Sequence, residues 1–180
     1  LITIKSRGKC DHRSGGEDLA FLGIHMMDSM RYMVGCEVKS VNAKILKKKR
    51  EIVPSDVHDG NEGIGLVAGD TVFANYLFEN GVMGMFESYP IKTTVEKHSS
   101  FFGFEVYGST GILCVRNSPL GEMSYLNDCV CSSESTKNNW QKIEIQSWDD
   151  IASEERTHAS NEILADALLT KLRTGHVNEN

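Results

Sequence analysis

Apolar residues in the first fifth of the chain recur every three or four positions. This is the period of an amphipathic helix, and it predicts a helix over 17–34 that ends at Gly35. A polar, glycine-containing loop is predicted over 8–16. The apolar positions of the helix are Leu19, Leu22, Met26, Met27, Met30 and Met33.

The other apolar segments alternate with polar residues as β-strands do. Asn80-Gly81 joins two such segments and predicts a tight hairpin, because both turn residues tolerate positive φ. Residues 50–69 are predicted to form a long loop, and a second helix is predicted over 151–173, ending at Gly175. The predicted strands are 1–7, 38–46, 71–78, 82–88, 102–107, 112–116, 123–131 and 140–145.

This order of elements predicts an α+β domain that spans residues 1–180. We expect an open, mixed, largely antiparallel sheet with the helices packed on one face. Phe73, Tyr76 and Phe86 are expected on the other face. Side chains of that size would make the face available for self-association into a homo-oligomer.

Charge and length narrow the classes of function. The 180 residues carry a formal net charge of −6, and no Lys/Arg-rich stripe runs through aromatic residues, so nucleic acid is not an expected partner. The basic cluster Lys47–Arg50 is interpreted as a solvated strand end. No apolar run of about 18 residues is present, so no membrane span is expected.

The five cysteines are odd in number and irregularly spaced, which does not indicate a disulfide framework. Neither Cys129-Val130-Cys131 nor the pair Cys10 and His12 offers the four ligands of a zinc site, so no metal is expected. Free thiols indicate a reducing compartment, and we expect the cytoplasm. Because Leu1 is not an initiator methionine, the chain is interpreted as part of a longer protein, and any targeting signal would precede it.

The glycine clusters do not predict a phosphate cradle. Neither Gly60–Gly65 nor Gly81–Gly84 lies between a strand and the start of a helix, where such a cradle works. The chain alone is therefore expected to bind no dinucleotide.

The first helix contains the strongest candidate for chemistry. His25 lies beside Gly23, and Asp28 is near enough along the helix to orient the imidazole. A glycine inside a helix costs about 1 kcal/mol, which indicates that another group approaches the backbone closely there. Two interpretations stay open: a packed structural histidine beside a helix-crossing glycine, or a histidine that faces a ligand.

The segment Gly15-Gly16-x-x-Leu19-x-x-x-Gly23-x-His25-x-x-Asp28, followed by Arg31–Gly35, resembles the signature helix of the Gfo/Idh/MocA oxidoreductases. That family is named for glucose-fructose oxidoreductase and inositol dehydrogenase. The similarity continues in order through 38–43, 69–72, 78–81 and 104–111, and so covers most of the chain. It implies the fold of the C-terminal domain of these enzymes.

The resemblance also implies a function. The chain would be the substrate-binding and assembly domain of an NAD(P)-dependent oxidoreductase acting on a sugar, polyol or related hydroxy compound. An N-terminal Rossmann domain, absent from this chain, would bind NAD or NADP, and the chain by itself would be inactive. His25 would contact the substrate as a proton relay, and Arg13 lies in the loop where such enzymes often touch the substrate.

The chain departs from the family pattern at Phe21. Many members have an aspartate at this position, four residues before the histidine, and an aromatic ring cannot accept the hydrogen bond of a substrate hydroxyl. Asp18 is too distant along the helix to replace it. Phe21 would instead line the substrate pocket and alter the chemistry. The alternative function is a non-catalytic ligand-sensing or protein-interaction domain derived from the family.

Overall fold

The computed structural model describes residues 1–91, 102–116, 122–127, 140–143 and 169. The chain divides into two compact units, 1–143 and 144–180. In the second unit the described residue is Leu169, which is helical. Most of the predicted helix over 151–173, with Gly175, Cys129 and Cys131, lies outside the described residues.

The described strands of the first unit are β1 (Thr3–Arg7), β2 (Val38–Lys47), β3 (Arg50–Glu51), β4 (His58–Asp59), β5 (Leu66–Val67), β6 (Thr71–Phe78), β7 (Met83–Ser88), β8 (Gly103–Tyr107), β9 (Ile112–Arg116), β10 (Glu122–Leu126) and β11 (Gln141–Ile143). Nine of them form one sheet in the order β11-β10-β9-β8-β1-β7-β6-β2-β3, and β4 and β5 form a separate ladder. Of the pairs described, β1 runs parallel to β7 and the others are antiparallel. The predicted mixed, largely antiparallel sheet is confirmed.

One helix covers a face of the sheet. It consists of α1 (Gly16–Asp18), a π-helical segment (Leu19–Gly23) and α2 (Ile24–Val34), together called the composite helix here. It ends at Gly35, whose φ of 75° is left-handed, as the sequence predicts. The π-helical segment is not visible in the sequence, because one wider turn barely disturbs an apolar period of three and four.

The two faces of the sheet differ in the way that period-two alternation requires. In β6, Val72, Ala74, Tyr76 and Phe78 are buried, while the residues between them point to the open face.

The placement of Tyr76 and Phe86 on the open face is therefore wrong. Phe86 lies opposite Ala74 across the β6–β7 pair, so both point toward the composite helix, and Phe86 is fully buried. Only Phe73 of the three lies on the open face, where its ring stacks against Tyr89 at 6.0 Å between centroids. Phe73 and Tyr76 are three positions apart in one strand, so alternation alone places them on opposite faces. The face of Phe86 depends on the pairing register with β6, which the sequence does not contain.

The predicted hairpin between β6 and β7 is confirmed. Gly81 takes a left-handed φ of 84°, and the side chain of Asn80 accepts a hydrogen bond from the backbone N–H of Val82 at 3.1 Å. The turn thus uses the conformational freedom of Gly81 and the side-chain oxygen of Asn80, and not positive φ at both residues.

Residues 50–69 are more ordered than predicted. They contain β3, β4 and β5 and two 3₁₀ turns, Pro54–Asp56 and Asn61–Gly63. Arg50 donates two hydrogen bonds of 2.7 Å to Asp56, and this lowers the pKa of Asp56 to about 2. Strands of two residues are too short to show a period, so the sequence pattern misses them.

Substitutions on the two faces of the sheet should lower the free energy of unfolding by different amounts. Phe86→Ala should lower the free energy of unfolding by about 3–5 kcal/mol, because it leaves a cavity in the core. Phe73→Ala, the matched change on the open face, should cost about 1 kcal/mol. Urea denaturation of the purified chain measures both values, and equal losses would contradict the assignment of the faces.

Candidate substrate site

The candidate site comprises the N-terminal half of the composite helix and the loop before it. Residues 8–15, called the substrate loop here, lead from β1 into this helix. The loop folds back on itself, since the backbone N–H of Arg13 donates to Asp11 Oδ1 at 2.9 Å and Ser14 Oγ donates to the Asp11 carbonyl at 2.8 Å. The backbone N–H of Asp18 then donates to the Arg13 carbonyl at 2.8 Å, which joins the loop to the helix.

Arg13 and Phe21 lie against each other. The guanidinium carbon of Arg13 is 5.3 Å from the centroid of the Phe21 ring, a cation–π distance. The nearest described carboxylates, Glu62 at 3.6 Å and Asp11 at 3.8 Å, form ion pairs with Arg13 but are beyond hydrogen-bond distance. A guanidinium stacked in this way keeps the donors on its edges available for a ligand oxygen.

His25 is exposed and lies four residues after Phe21, about one helical turn away. It makes no hydrogen bond or ion pair with the part of the chain that the structure describes. The exposure does not fit a packed structural histidine. Gly23, by contrast, is buried against the sheet, where an added Cβ would lie 3.2 Å from the Phe86 ring. The close approach that Gly23 indicates is therefore made by the core and not by a ligand.

Asp28 does not orient His25 as the sequence suggests. Its Oδ1 accepts a hydrogen bond of 3.0 Å from Arg31, three residues along the same helix. Arg31 also donates to Glu37. A guanidinium at this spacing is a stronger partner for a carboxylate than a neutral imidazole.

Asp18 is the residue of this region whose surroundings the sequence did not reveal. Its side chain is only 2% exposed, and Ser88 Oγ, at the end of β7, donates to its Oδ2 at 2.6 Å. Its Oδ1 has no hydrogen-bond partner in the described part of the structure. Burial is the largest cause that raises the pKa of Asp18. No sequence signal distinguishes it from an ordinary exposed acid in a first helical turn.

The described glycines do not fit a dinucleotide. At the start of the composite helix, a Cβ on Gly15 would lie 2.4 Å from the Asp70 carbonyl carbon, and one on Gly16 would lie 2.1 Å from the Ala68 oxygen. The helix end is thus packed against the backbone of residues 68–70, which leaves no room there for a pyrophosphate. Gly60–Gly65 forms a turn that enters β5 and not a helix.

The described ranges also contain three of the five cysteines. Cys10, Cys36 and Cys114 are free thiols. No group of three or more His, Cys, Asp or Glu side chains in these ranges is arranged to hold a metal ion. None of the described helices is long and apolar enough to cross a membrane.

Solved structures share this fold at low sequence identity. An oxidoreductase domain protein from Kribbella flavida superposes with a TM-score of 0.51 at 15% identity, over 79% of this chain and 40% of that one. UDP-N-acetylglucosamine 3-dehydrogenase GnnA from Acidithiobacillus ferrooxidans gives 0.53 at 9% identity, over 79% and 40%. Levoglucosan dehydrogenase in complex with NADH and L-sorbose gives 0.52 at 17% identity, over 79% and 39%.

The chain thus spans about 40% of the length of these structures. No curated protein matches it in sequence. The family model described as the GFO/IDH/MocA C-terminal domain matches residues 5–114, which run from β1 through the composite helix into β9. This match covers more than half of the chain, and the chain therefore belongs to the GFO/IDH/MocA C-terminal domain family.

Proposed function

We propose that this chain is the substrate-binding and assembly domain of an NAD(P)-dependent oxidoreductase that acts on a sugar, polyol or related hydroxy compound. The observation that carries the proposal is the stacking of Arg13 on Phe21, about one helical turn before the exposed His25. Family membership supports it. The solved relatives include dehydrogenases of levoglucosan and of UDP-N-acetylglucosamine, the former determined with NADH.

We assign the nucleotide to an N-terminal Rossmann domain outside this chain. The packing of Gly15 and Gly16 against residues 68–70 supports this, because it closes the one helix end in the described ranges that could receive a phosphate. The bound nucleotide would supply hydride transfer. This chain would supply the groups that bind the substrate and move its proton.

The three side chains have different tasks in this proposal. Arg13 donates hydrogen bonds from the edges of its guanidinium to substrate oxygens, and Phe21 forms an apolar wall. His25 accepts the proton of the reacting hydroxyl when the substrate is oxidised and returns it in the reverse direction, since an imidazole can do both near neutral pH. The exposure of His25 lets this proton pass on to water.

A second candidate is a ligand-sensing or protein-interaction domain without catalysis. Phe21 favours it, because the ring replaces a group that could accept a hydrogen bond from the substrate. The hydrogen bond from Arg31 to Asp28 also favours this candidate, because it leaves His25 without a described carboxylate to fix its tautomer. Under this candidate, Arg13 and Phe21 would bind a ligand and His25 would move no proton.

The open face of the sheet supports the assembly role. Phe73, Leu77 and Met83 are large apolar side chains on this face, with exposed fractions of 39%, 38% and 58%. Tyr76 and Phe86, which the sequence placed beside them, are buried and take no part. We propose that a second copy of the chain covers this face.

The catalytic role of His25 predicts that a substitution there lowers turnover and leaves stability unchanged. In a protein that joins this chain to its nucleotide-binding domain, His25→Gln should lower turnover by about 10²–10⁴-fold, the usual range for a lost acid–base group. The melting temperature should hardly change, because the side chain is exposed. The matched control is His58→Gln, an exposed histidine in β4. Unchanged turnover in His25→Gln would contradict the proton-transfer role of His25, whereas a wild-type protein that binds ligand without turnover would favour the non-catalytic candidate.

The assembly role predicts that a charge on the open face lowers the molecular mass of the particle in solution. Phe73→Glu should shift the purified chain toward monomer in analytical ultracentrifugation, because it places a charge in the apolar contact. Val57→Glu, an exposed apolar position outside the large sheet, should leave the association unchanged. A wild-type chain that stays monomeric at high concentration would argue against the assembly role.

A further inference from the structure

A chain of hydrogen bonds runs beneath the substrate loop. The backbone N–H of Gly15 donates to Ser88 Oγ at 3.0 Å, and Ser88 Oγ donates to Asp18 Oδ2 at 2.6 Å. Both Ser88 and Asp18 are buried, with exposed fractions of 0% and 2%. The last residue of the loop is therefore tied to the end of β7 through the Ser88 hydroxyl, and the Asp18 carboxyl group orients that hydroxyl by accepting its proton in a hydrogen bond.

The carboxyl group of Asp18 is enclosed by its neighbours. A Cβ on Gly8, just after β1, would lie 2.0 Å from Asp18 Oδ2, so only a glycine lets the loop close over this group. The backbone N–H of Asp18 donates to the Arg13 carbonyl. Closure of the loop over Asp18 thus also places Arg13, which stacks on Phe21.

This environment favours the neutral acid. Oδ1 has no described hydrogen-bond partner, and a buried charged oxygen without a partner costs more than a buried neutral one. Burial and the nearby Asp11 raise the pKa of Asp18, while Ser88, the backbone N–H of Cys10 and Arg13 lower it. The causes that raise the pKa of Asp18 outweigh those that lower it. Gly8, which packs against the group from the end of β1, has no charge.

We propose that Asp18 is a positioning residue that, in its neutral form, holds the substrate loop closed over the end of β7 and keeps Arg13 in place, and that its ionisation loosens the loop. The importance of this for substrate binding rests on the proposed function. The closure itself does not, because it involves only groups of this chain.

The sign of the pH effect follows from the two states of the loop. When the loop is open, the carboxyl group of Asp18 is solvated and has the ordinary pKa of an aspartate. When the loop is closed, burial raises the pKa of Asp18. The closed loop is therefore most stable below the ordinary value. Its stability falls as pH rises through the interval between the two values, and it is lowest above the raised value.

Amide hydrogen exchange of the full chain, measured by NMR between pH 4 and 9, tests the proposal without any ligand. The Gly15 amide reports the closure, and the Phe78 amide, bonded to the Val82 carbonyl across the β6–β7 hairpin, reports global opening. After correction for intrinsic rates, protection of Gly15 relative to Phe78 should fall about tenfold for each pKa unit between the open and closed states.

Variants separate the titration of Asp18 from other causes. Asp18→Asn keeps a neutral side chain of the same shape, so Gly15 should stay protected at every pH. Ser88→Ala should lower its protection throughout. The matched control Asp28→Asn, an exposed acid on the same helix, should keep the wild-type pH dependence.

Two results would overturn the proposal: protection of Gly15 that does not change with pH in the wild type, or the same fall in Asp18→Asn. If Asp18→Asn does not fold, the carboxyl ¹³C titration of Asp18 in the wild type decides. Its midpoint must coincide with the pH above which the protection of Gly15 stops falling, and a mismatch rejects the role. Any of these failures leaves the proposed function intact, and a His25→Gln variant with full turnover leaves the closure intact.

Discussion

The missing side chain of Gly23 brings the composite helix into contact with the sheet. A Cβ at this position would lie 3.2 Å from the ring of Phe86 and 3.3 Å from Leu19. Close contacts of this kind fix the height and rotation of a helix, because packed interiors yield little. Once Gly23 faces the core, His25 two residues later faces solvent. Asp18, just before the π-helical segment, lies beneath the substrate loop.

The sequence predicts the elements well where a period is long enough to be seen. The helix over 17–34 differs from the observed limits by one residue, and the alternation of β6 is that of a strand buried on one face. The sequence fails where the answer depends on contacts between distant residues. The face of Phe86 depends on its pairing with Ala74. The burial of Asp18 depends on Ser88, seventy residues away.

In the candidate site, too, the sequence predicts which residues are involved but not which of them contact one another. His25 follows from the resemblance to a family motif, Phe21 from a departure from that motif, and Arg13 from its place in the loop before it. The structure stacks Arg13 on Phe21 and exposes His25. Helical spacing alone pairs Asp28 with His25, yet Arg31 lies at an equally suitable spacing and carries a charge opposite to that of Asp28. Spacing shows which residues can meet, and electrostatics decides which of them do.

Chemical-shift mapping by NMR tests the proposal that this chain contains the substrate side of an oxidoreductase site and not its nucleotide side. Titration of the full chain with a polyol such as inositol, and separately with NADH, should give different maps. We expect the polyol to shift signals of Arg13, Phe21 and His25, and NADH to shift neither these nor the amides of Gly15 and Gly16. Saturable NADH shifts at Gly15 and Gly16, or polyol shifts confined to the open face of the sheet, would contradict it.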